Sequence, residues 1–151
     1  MTADEIIATL GLEPLPDEGG MWAQTWIDER STGIYFLLRE GDFSALHRLL
    51  SMELYHFYGG DPAEVVVLRP DGTAGRHLLG MDLRAGQRPS VPIAGGVWQG
   101  SRTTGEWTLL GTTMAPPFTV EGFELGDRAT LIAAYPSMTR TIMALSRETP
   151  Q

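Results

Sequence analysis

The sequence contains no cysteine. Disulfides, thiolate nucleophiles, and zinc or iron–sulfur sites with cysteine ligands are therefore excluded. It also has no apolar run as long as a transmembrane helix. Its first residues, MTADEIIATLG, lack the basic region and the long apolar region of a signal peptide. By default, we expect a cytoplasmic protein.

Positive charge and histidine are also scarce. The 11 basic residues face 19 acidic ones, which gives a formal net charge of −8. Such a surface repels phosphate backbones and anionic lipids, so neither nucleic acid nor a membrane is expected as a partner. The sequence has three histidines, His47, His56 and His77. This small number restricts any imidazole-based metal site.

Turn-forming residues, by contrast, are abundant. The 151 residues include 18 glycines and 10 prolines, with 42% hydrophobic residues. This composition favours short strands joined by many turns over long helices. The length is typical of one domain, and we find no linker or repeat, so a single domain over residues 1–151 is expected.

Apolar segments with strand-like patterns recur along most of the chain. The PDGT sequence at residues 70–73 predicts a turn that joins two of them into a hairpin. Residues 102–105 are predicted to turn a second hairpin. Together the segments indicate an all-β sandwich or small barrel. The predicted strands are residues 21–27, 33–38, 54–58, 64–69, 76–80, 96–101 and 106–114.

Helices are predicted only near the two ends. Residues 2–10 carry a capping box formed by Thr2 and Glu5, and Gly11 follows where a helix commonly ends. A second helix is expected from Asp127 until Pro136 stops it. A third is expected over residues 137–146, with Ser137 as its N-cap.

Residues 41–61, GDFSALHRLLSMELYHFYGGD, predict a strand, a bend and a second strand that aim His47 and Glu53 into one cavity. The spacing resembles the first motif of the cupin barrels. There, two histidines two residues apart and a glutamate bind a divalent metal inside a jelly roll. Here Leu49 occupies the position of the second histidine. In the stretch that resembles the second cupin motif, IAGGVWQGS, Gln99 occupies the histidine position.

Several further motifs, in the same order along nearly the whole chain, resemble the cupin-5 family, formerly a domain of unknown function. They are LGLEPLPDEGG (10–20), FSALHRLLSMELYHFYGGDP (43–62), LGMDLRAGQRPSV (79–91), GTTMAPPF (111–118) and FELGDRATLIAAYP (123–136). The resemblance implies a cupin double-stranded β-helix, that is, a jelly-roll barrel related to a sugar epimerase. It also implies a homodimer.

The candidate site follows from this resemblance and from strand alternation. Glu53 and His47 are the candidate catalytic residues. No cofactor is expected; if a divalent metal binds, its ligands would be His47, Glu53 and Gln99. The candidate substrate-binding residues are Tyr55, Gln99, Trp98, Phe57 and Tyr35.

Strand alternation separates the remaining histidines from this site. Glu53, Tyr55 and Phe57 share one strand face, and His56 lies on the other. His77 is expected to face solvent. Arg48 should point away from the cavity, where it would hold a loop or pair with Asp61. The four tryptophans are expected mainly in the core or a subunit contact, with one or two lining the cavity.

Three functions remain open at this stage. The first is an isomerase, epimerase, cyclase or lyase that uses Glu53 as base and His47 as acid or proton shuttle. The second is a non-catalytic module that binds a small ligand or sugar without chemical change, with Glu53 contributing to the binding. The third is a weakly metal-dependent cupin enzyme. No serine-hydrolase, P-loop, HExxH or dinucleotide motif is present.

Overall fold

The computed structural model describes residues 1–148. Strands dominate, with short helices near the two ends, as predicted. The helices are α1 (Ala3–Leu10), α2 (Arg128–Ala134) and α3 (Thr139–Ala144). The strands are β1 (Glu13–Pro14), β2 (Met21–Ile27), β3 (Thr32–Arg39), β4 (Ser44–Leu49), β5 (Glu53–Gly60), β6 (Ala63–Leu68), β7 (Ala74–Leu79), β8 (Ser90–Ile93), β9 (Trp98–Thr103), β10 (Trp107–Met114) and β11 (Phe123–Leu125).

The strands form two antiparallel sheets that pack face to face. One has six strands in the order β1-β2-β3-β10-β5-β8, and the other has five in the order β11-β4-β9-β6-β7. The main core lies between them, where Phe36 and Leu110 of the first sheet meet Val65 and Leu79 of the second. This arrangement confirms the predicted all-β jelly roll.

Helix α1 packs on the outer face of the six-stranded sheet, where Ile6 and Leu12 bury Leu37. Its capping box is present, since the Thr2 hydroxyl accepts from the Glu5 amide and the Glu5 carboxylate accepts from the Thr2 amide. Gly11 ends the helix in a left-handed conformation with a φ of 65°. The N-terminal prediction is therefore confirmed. No helix within residues 1–148 combines the length and apolar character needed to cross a bilayer.

Helices α2 and α3 cover the outer face of the five-stranded sheet, burying Leu131 and Ile142 against Val66 and Leu68. The helix predicted between Asp127 and Pro136 is present as α2, and the Asp127 side chain caps its N-terminus. The prediction that Ser137 caps the last helix is wrong. The chain enters a 3₁₀ turn at Pro136, and Ser137 lies inside that turn. Helix α3 then starts without a side-chain cap.

The hairpin predicted around PDGT is confirmed, because β6 and β7 pair antiparallel. The second predicted hairpin is wrong. Strand β9 pairs with β4 and β6, whereas β10 pairs with β3 and β5 in the opposite sheet. One carboxylate oxygen of Asp61 accepts from the amides of Glu106 at 2.7 Å and Trp107 at 3.4 Å. Gly105 packs so closely on this carboxylate that a Cβ would clash. These contacts direct the chain from one sheet to the other.

Candidate functional site

The chain crosses from one sheet to the other between β4 and β5, and this crossing brings His47 and Glu53 to the same cavity. His47 lies on β4 of the five-stranded sheet and Glu53 begins β5 of the six-stranded sheet. Both side chains point between the sheets, where His47 is 2% exposed and Glu53 is 8% exposed. They line a cavity of about 130 Å³.

The cavity has mostly apolar walls with a small polar group. Its polar and titratable lining comes from Glu18, Gln24, Thr32, His47, Glu53, Tyr55 and Thr112. Its largest apolar side chains are Trp22, Ile34, Phe36, Met114, Phe118 and Phe123. A concave apolar site with a few convergent polar groups is the usual form of a small-molecule site.

The orientation of the His47 ring is set by the main chain. Its Nδ1 lies 2.7 Å from the carbonyl oxygen of Ala45. A carbonyl can only accept, so Nδ1 carries a proton and donates it to this bond. The ring also stacks on Phe123, with 5.3 Å between centroids. In the neutral ring Nε2 is therefore the nitrogen with a free lone pair.

Burial dominates the protonation of Glu53. The loss of solvent raises the pKa of its carboxyl from 4.5 to about 7. The positive charge of His47 opposes this rise, the negative charge of Glu18 adds to it, and a hydrogen bond from Thr112 opposes it. Near neutral pH the carboxyl is thus present both with and without its proton, as a general acid–base group requires.

Glu18 is a third titratable group at the cavity, and it was not predicted from the sequence. It lies in the loop between β1 and β2, with its Oε1 3.9 Å from Nε2 of His47. The same oxygen accepts a hydrogen bond of 2.7 Å from the Ser44 hydroxyl. No local pattern identifies such a residue. The only available signal is the position of Glu18 beside the Gly19-Gly20 turn, which returns the chain to the barrel.

Tyr55 lines the cavity, and Gln99 lies behind it. The Tyr55 hydroxyl donates to Oε1 of Gln99 over 2.6 Å, and both side chains are almost fully buried. Burial, followed by the nearby charge of Glu53, raises the pKa of Tyr55 well above its usual value. Tyr55 therefore stays a neutral donor, and Gln99 already uses its amide oxygen within the protein.

The other three candidate substrate-binding residues do not line the cavity, which corrects the prediction. Tyr35 lies on the outer face of the six-stranded sheet, in the cluster that packs around α1. Trp98 lies on the outer face of the five-stranded sheet, in the cluster beneath α2 and α3. Phe57 points between the sheets but packs against the main core. Trp22, by contrast, is a tryptophan that does line the cavity.

Arg48 points away from the cavity, as predicted, but its partner is Glu124 rather than Asp61. Its Nε lies 2.7 Å from a carboxylate oxygen of Glu124, and its guanidinium lies 4.5 Å from the centroid of the Trp98 ring. Asp61 is occupied by the β9–β10 crossing described above. This pairing places the positive charge of Arg48 outside the barrel.

The other two histidines lie away from the site. His56 is on the opposite face of β5, as predicted, with its Nε2 2.8 Å from the Thr113 hydroxyl. His77 is half-buried, so the prediction that it faces solvent is wrong. Burial and the charge of Arg69 both lower its pKa. His77 pairs with Val65, whose side chain lies in the core, and this register turns His77 inward.

The side chains at the cavity do not fit the divalent metal that the cupin resemblance implies. Leu49 lines the cavity beside His47 without a donor atom. The amide oxygen of Gln99 already accepts from Tyr55. Within residues 1–148, no three histidine, aspartate or glutamate side chains are arranged to hold a metal ion. One imidazole nitrogen with carboxylate oxygens is a weak donor set for a transition metal.

Two solved structures match this fold over almost their whole length. Protein SO0799 of Shewanella oneidensis is 33% identical with a TM-score of 0.92, and the alignment covers 99% of each chain. A hypothetical protein from Leishmania major is 26% identical with a TM-score of 0.91, covering 98% of this chain and 100% of that one. A comparison with curated proteins finds no match.

A more distant match indicates the fold class. Oxalate decarboxylase of Bacillus subtilis is 12% identical with a TM-score of 0.62, covering 93% of this chain and 40% of that one. At this identity the likeness concerns the fold alone. A family model described as Cupin superfamily (DUF985) matches residues 4–126. The chain therefore belongs to the cupin superfamily, within the DUF985 family.

Proposed function

We propose that the protein binds a small organic molecule in the barrel cavity and moves a proton on it, with Glu53 as the base. The observation that carries this proposal is the burial of the Glu53 carboxyl in an apolar cavity together with His47, which raises its pKa to about 7. A base with a pKa near the working pH combines a useful ionised fraction with enough basicity to accept a proton. Isomerisation, epimerisation, cyclisation and lyase-type elimination all begin with such a step.

In the proposed reaction, ionised Glu53 removes a proton from a carbon next to a carbonyl group of the substrate. The electron pair of that C–H bond moves toward the carbonyl oxygen. His47, entering the step protonated on Nε2, donates that proton to the oxygen. The bond from Nδ1 to Ala45 keeps Nε2 available for this transfer. Protonation of another carbon, or of the same carbon on its other face, then re-forms a carbonyl while an enol O–H proton returns to His47, which completes an isomerisation with no net gain or loss of protons.

Tyr55 and Gln99 have a positioning role in this proposal. Their mutual hydrogen bond holds the Tyr55 ring against the cavity, where it limits how the substrate can turn. Because the hydroxyl and the amide oxygen satisfy each other, the pair requires no bond from the substrate. This departs from the prediction that both residues bind the substrate directly.

The experiment begins with the ligand that accompanies the purified protein, released by denaturation and identified by mass spectrometry. That compound is then incubated with the protein in D₂O, and NMR follows the loss of its C–H signals. Proton abstraction by the protein exchanges deuterium into the abstracted position. We expect Glu53→Gln to slow this exchange by roughly 10²–10⁴-fold, the usual contribution of a general base.

Glu121→Gln is the matched control, because Glu121 is an exposed carboxylate that does not line the cavity. It should exchange deuterium at the wild-type rate. Equal exchange rates in wild type and Glu53→Gln would refute the assignment of Glu53 as base.

A non-catalytic binding module is the second candidate, and one observation favours it. The Tyr55–Gln99 hydrogen bond removes two polar groups from possible contact with a substrate. A binding module predicts that the released compound is chemically unchanged and that no deuterium enters it, even at long incubation. Glu53→Gln would then weaken binding without altering any exchange rate.

A further inference from the structure

Among residues 1–148, the cavity contains acidic groups but no cationic side chain that is permanently charged. Its lining in this part of the chain includes Glu18, Glu53 and His47 but no arginine. The chain has no lysine, and all 11 of its basic residues are arginines. Arg48, the neighbour of His47 in sequence, lies outside the barrel on Glu124. Arg147 lies over the ring of Phe43, which does not line this cavity.

The electrostatic environment of the cavity would therefore disfavour the binding of an anionic ligand. A protonated His47 already has Oε1 of Glu18 at 3.9 Å from its Nε2, so its charge is largely balanced within the protein. A carboxylate or phosphate that enters would also lose its water among apolar walls. Ionised carboxylates and phosphates are usually bound by arginine, lysine or clustered backbone amides.

The carboxyl of Glu53 gives independent support for the conclusion that the cavity disfavours anions. Burial raises the pKa of Glu53 even though the positive charge of His47 opposes the rise, and the charge of Glu18 adds to it. Loss of water in the cavity thus disfavours a negative charge even on a side chain that is covalently fixed in place. A free anion would have the same desolvation cost and would also lose translational freedom on binding.

The size and walls of the cavity limit the ligand further. Its volume of about 130 Å³ is close to that of an apolar cavity of roughly 150 Å³ that is known to hold benzene. Trp22, Phe36, Phe118 and Phe123 supply aromatic surface around it. A single ring with one short polar substituent fits this space.

We propose that the ligand is a ring-sized, largely apolar molecule that carries a neutral or positively charged polar group, and that acids and phosphates are excluded. This inference rests on the proposed function only in taking the cavity as the ligand site. Glu18 is the residue that sets the charge preference, because its carboxylate lines the cavity while its Oε1 accepts from Ser44. A positively charged substituent would lie near this carboxylate and near Glu53.

Three probes of nearly equal size and shape test the inference: benzamide, benzamidine and benzoate. They differ mainly in being neutral, cationic and anionic. Binding to the wild-type protein is measured at neutral pH by isothermal calorimetry and by ligand-observed NMR. We expect benzamide and benzamidine to bind at millimolar concentration or below, with benzoate weaker by about tenfold or more. Benzoate binding as tightly as benzamide overturns the inference, and so does failure of all three to bind.

A pair of variants then assigns the preference. Glu18→Gln keeps an oxygen that can accept from Ser44 but removes the charge. It should therefore weaken the binding of benzamidine and reduce the difference in affinity between benzamidine and benzoate. Glu121→Gln removes an exposed carboxylate outside the cavity and should leave all three affinities unchanged. If Glu18→Gln alters none of them, Glu18 does not set the charge preference, and that part of the inference is overturned.

The comparison of the three probes uses only the wild-type protein. It therefore tests the preference for neutral or cationic ligands even if Glu18→Gln folds poorly. The probes report binding without turnover, which separates this test from the deuterium-exchange experiment. If the three probes bind without the predicted selectivity while deuterium exchange still depends on Glu53, the inference about ligand charge is refuted and the proposed reaction is not. Selective binding without any exchange would refute the proposed reaction alone.

Discussion

Among the single residues, Glu53 is the one whose charged form fits its apolar surroundings least well, and its chemical use is the clearest. Its carboxyl lies in an apolar cavity and is 8% exposed, so ionisation is costly there. Evolution of stability alone would favour an amide or an apolar side chain at such a place. Retaining a carboxylic acid therefore suggests that its proton is used.

The cost of ionising Glu53 should be visible as a pH dependence of stability. Its pKa is about 7 in the folded protein against 4.5 for the free group. The folded state thus holds the proton more tightly, which stabilises it fully below about pH 4.5 and is lost as the pH rises through about 7. Relative to Glu53→Gln, the wild-type free energy of unfolding should fall by about 3 kcal/mol across this range.

Urea denaturation at a series of pH values measures this difference. Glu121→Gln, which alters an exposed carboxylate, should follow the wild-type curve. A gap between wild type and Glu53→Gln that stays constant with pH would contradict the raised pKa.

The sequence predicted His47 and Glu53 at the cavity because their placement depends on local spacing within two consecutive strands. It missed Glu18 because its hydrogen bond to Ser44 joins residues 26 positions apart. Tyr35 was misassigned for a different reason. The run at residues 33–38 is apolar on both faces, since α1 covers the outer one. Alternation therefore gave no sign of which side chains face the cavity.

Among the strands, the crossing from β9 to β10 shows what a turn sequence can predict and what it cannot. Glycine and polar residues at 102–105 mark where the chain turns, but they do not indicate which sheet receives the next strand. That choice depends on Asp61, which is distant in sequence and accepts from two amides of the turn. Both strands were predicted from the sequence, but their pairing with each other was predicted wrongly.

The Asp61 contacts should contribute measurably to stability. In Asp61→Ala the amides of Glu106 and Trp107 lose their acceptor, and we expect the free energy of unfolding to fall by about 1–3 kcal/mol. Asp61→Asn keeps one accepting oxygen without the charge and should lose less. Chemical denaturation of both variants gives the comparison. Equal stability of Asp61→Ala and wild type would mean that the turn forms without these bonds.

For the molecule as a whole, three apolar clusters formed by residues within 1–148 are stacked across the fold. The main core lies between the sheets, one cluster lies under α1 and one lies under α2 and α3. Both sheets are thus covered on their two faces over much of their area. The six-stranded sheet still presents Trp26 and Tyr58, which are 45% and 52% exposed.

These exposed aromatic side chains lead us to predict a homodimer, as the family resemblance also implies. Exposed aromatic residues are common at subunit contacts, where they bury large areas. Light scattering coupled to size-exclusion chromatography should give twice the mass of one chain at micromolar concentration. Tyr58→Glu should shift the protein toward monomer, whereas Met81→Glu, at another exposed apolar position, should not. A monomeric wild-type protein would contradict the prediction.

One contact outside the cavity has a consequence for how the protein is made. Arg147 donates to the main-chain oxygen of Asp17, a contact between residues 130 positions apart. Asp17 immediately precedes Glu18, so this contact helps hold the loop that carries the acidic side of the cavity. Bringing together such distant segments is slow and entropically costly. During synthesis on a ribosome, the barrel strands emerge well before residue 147, and we expect ligand binding to arise only after that residue has been released.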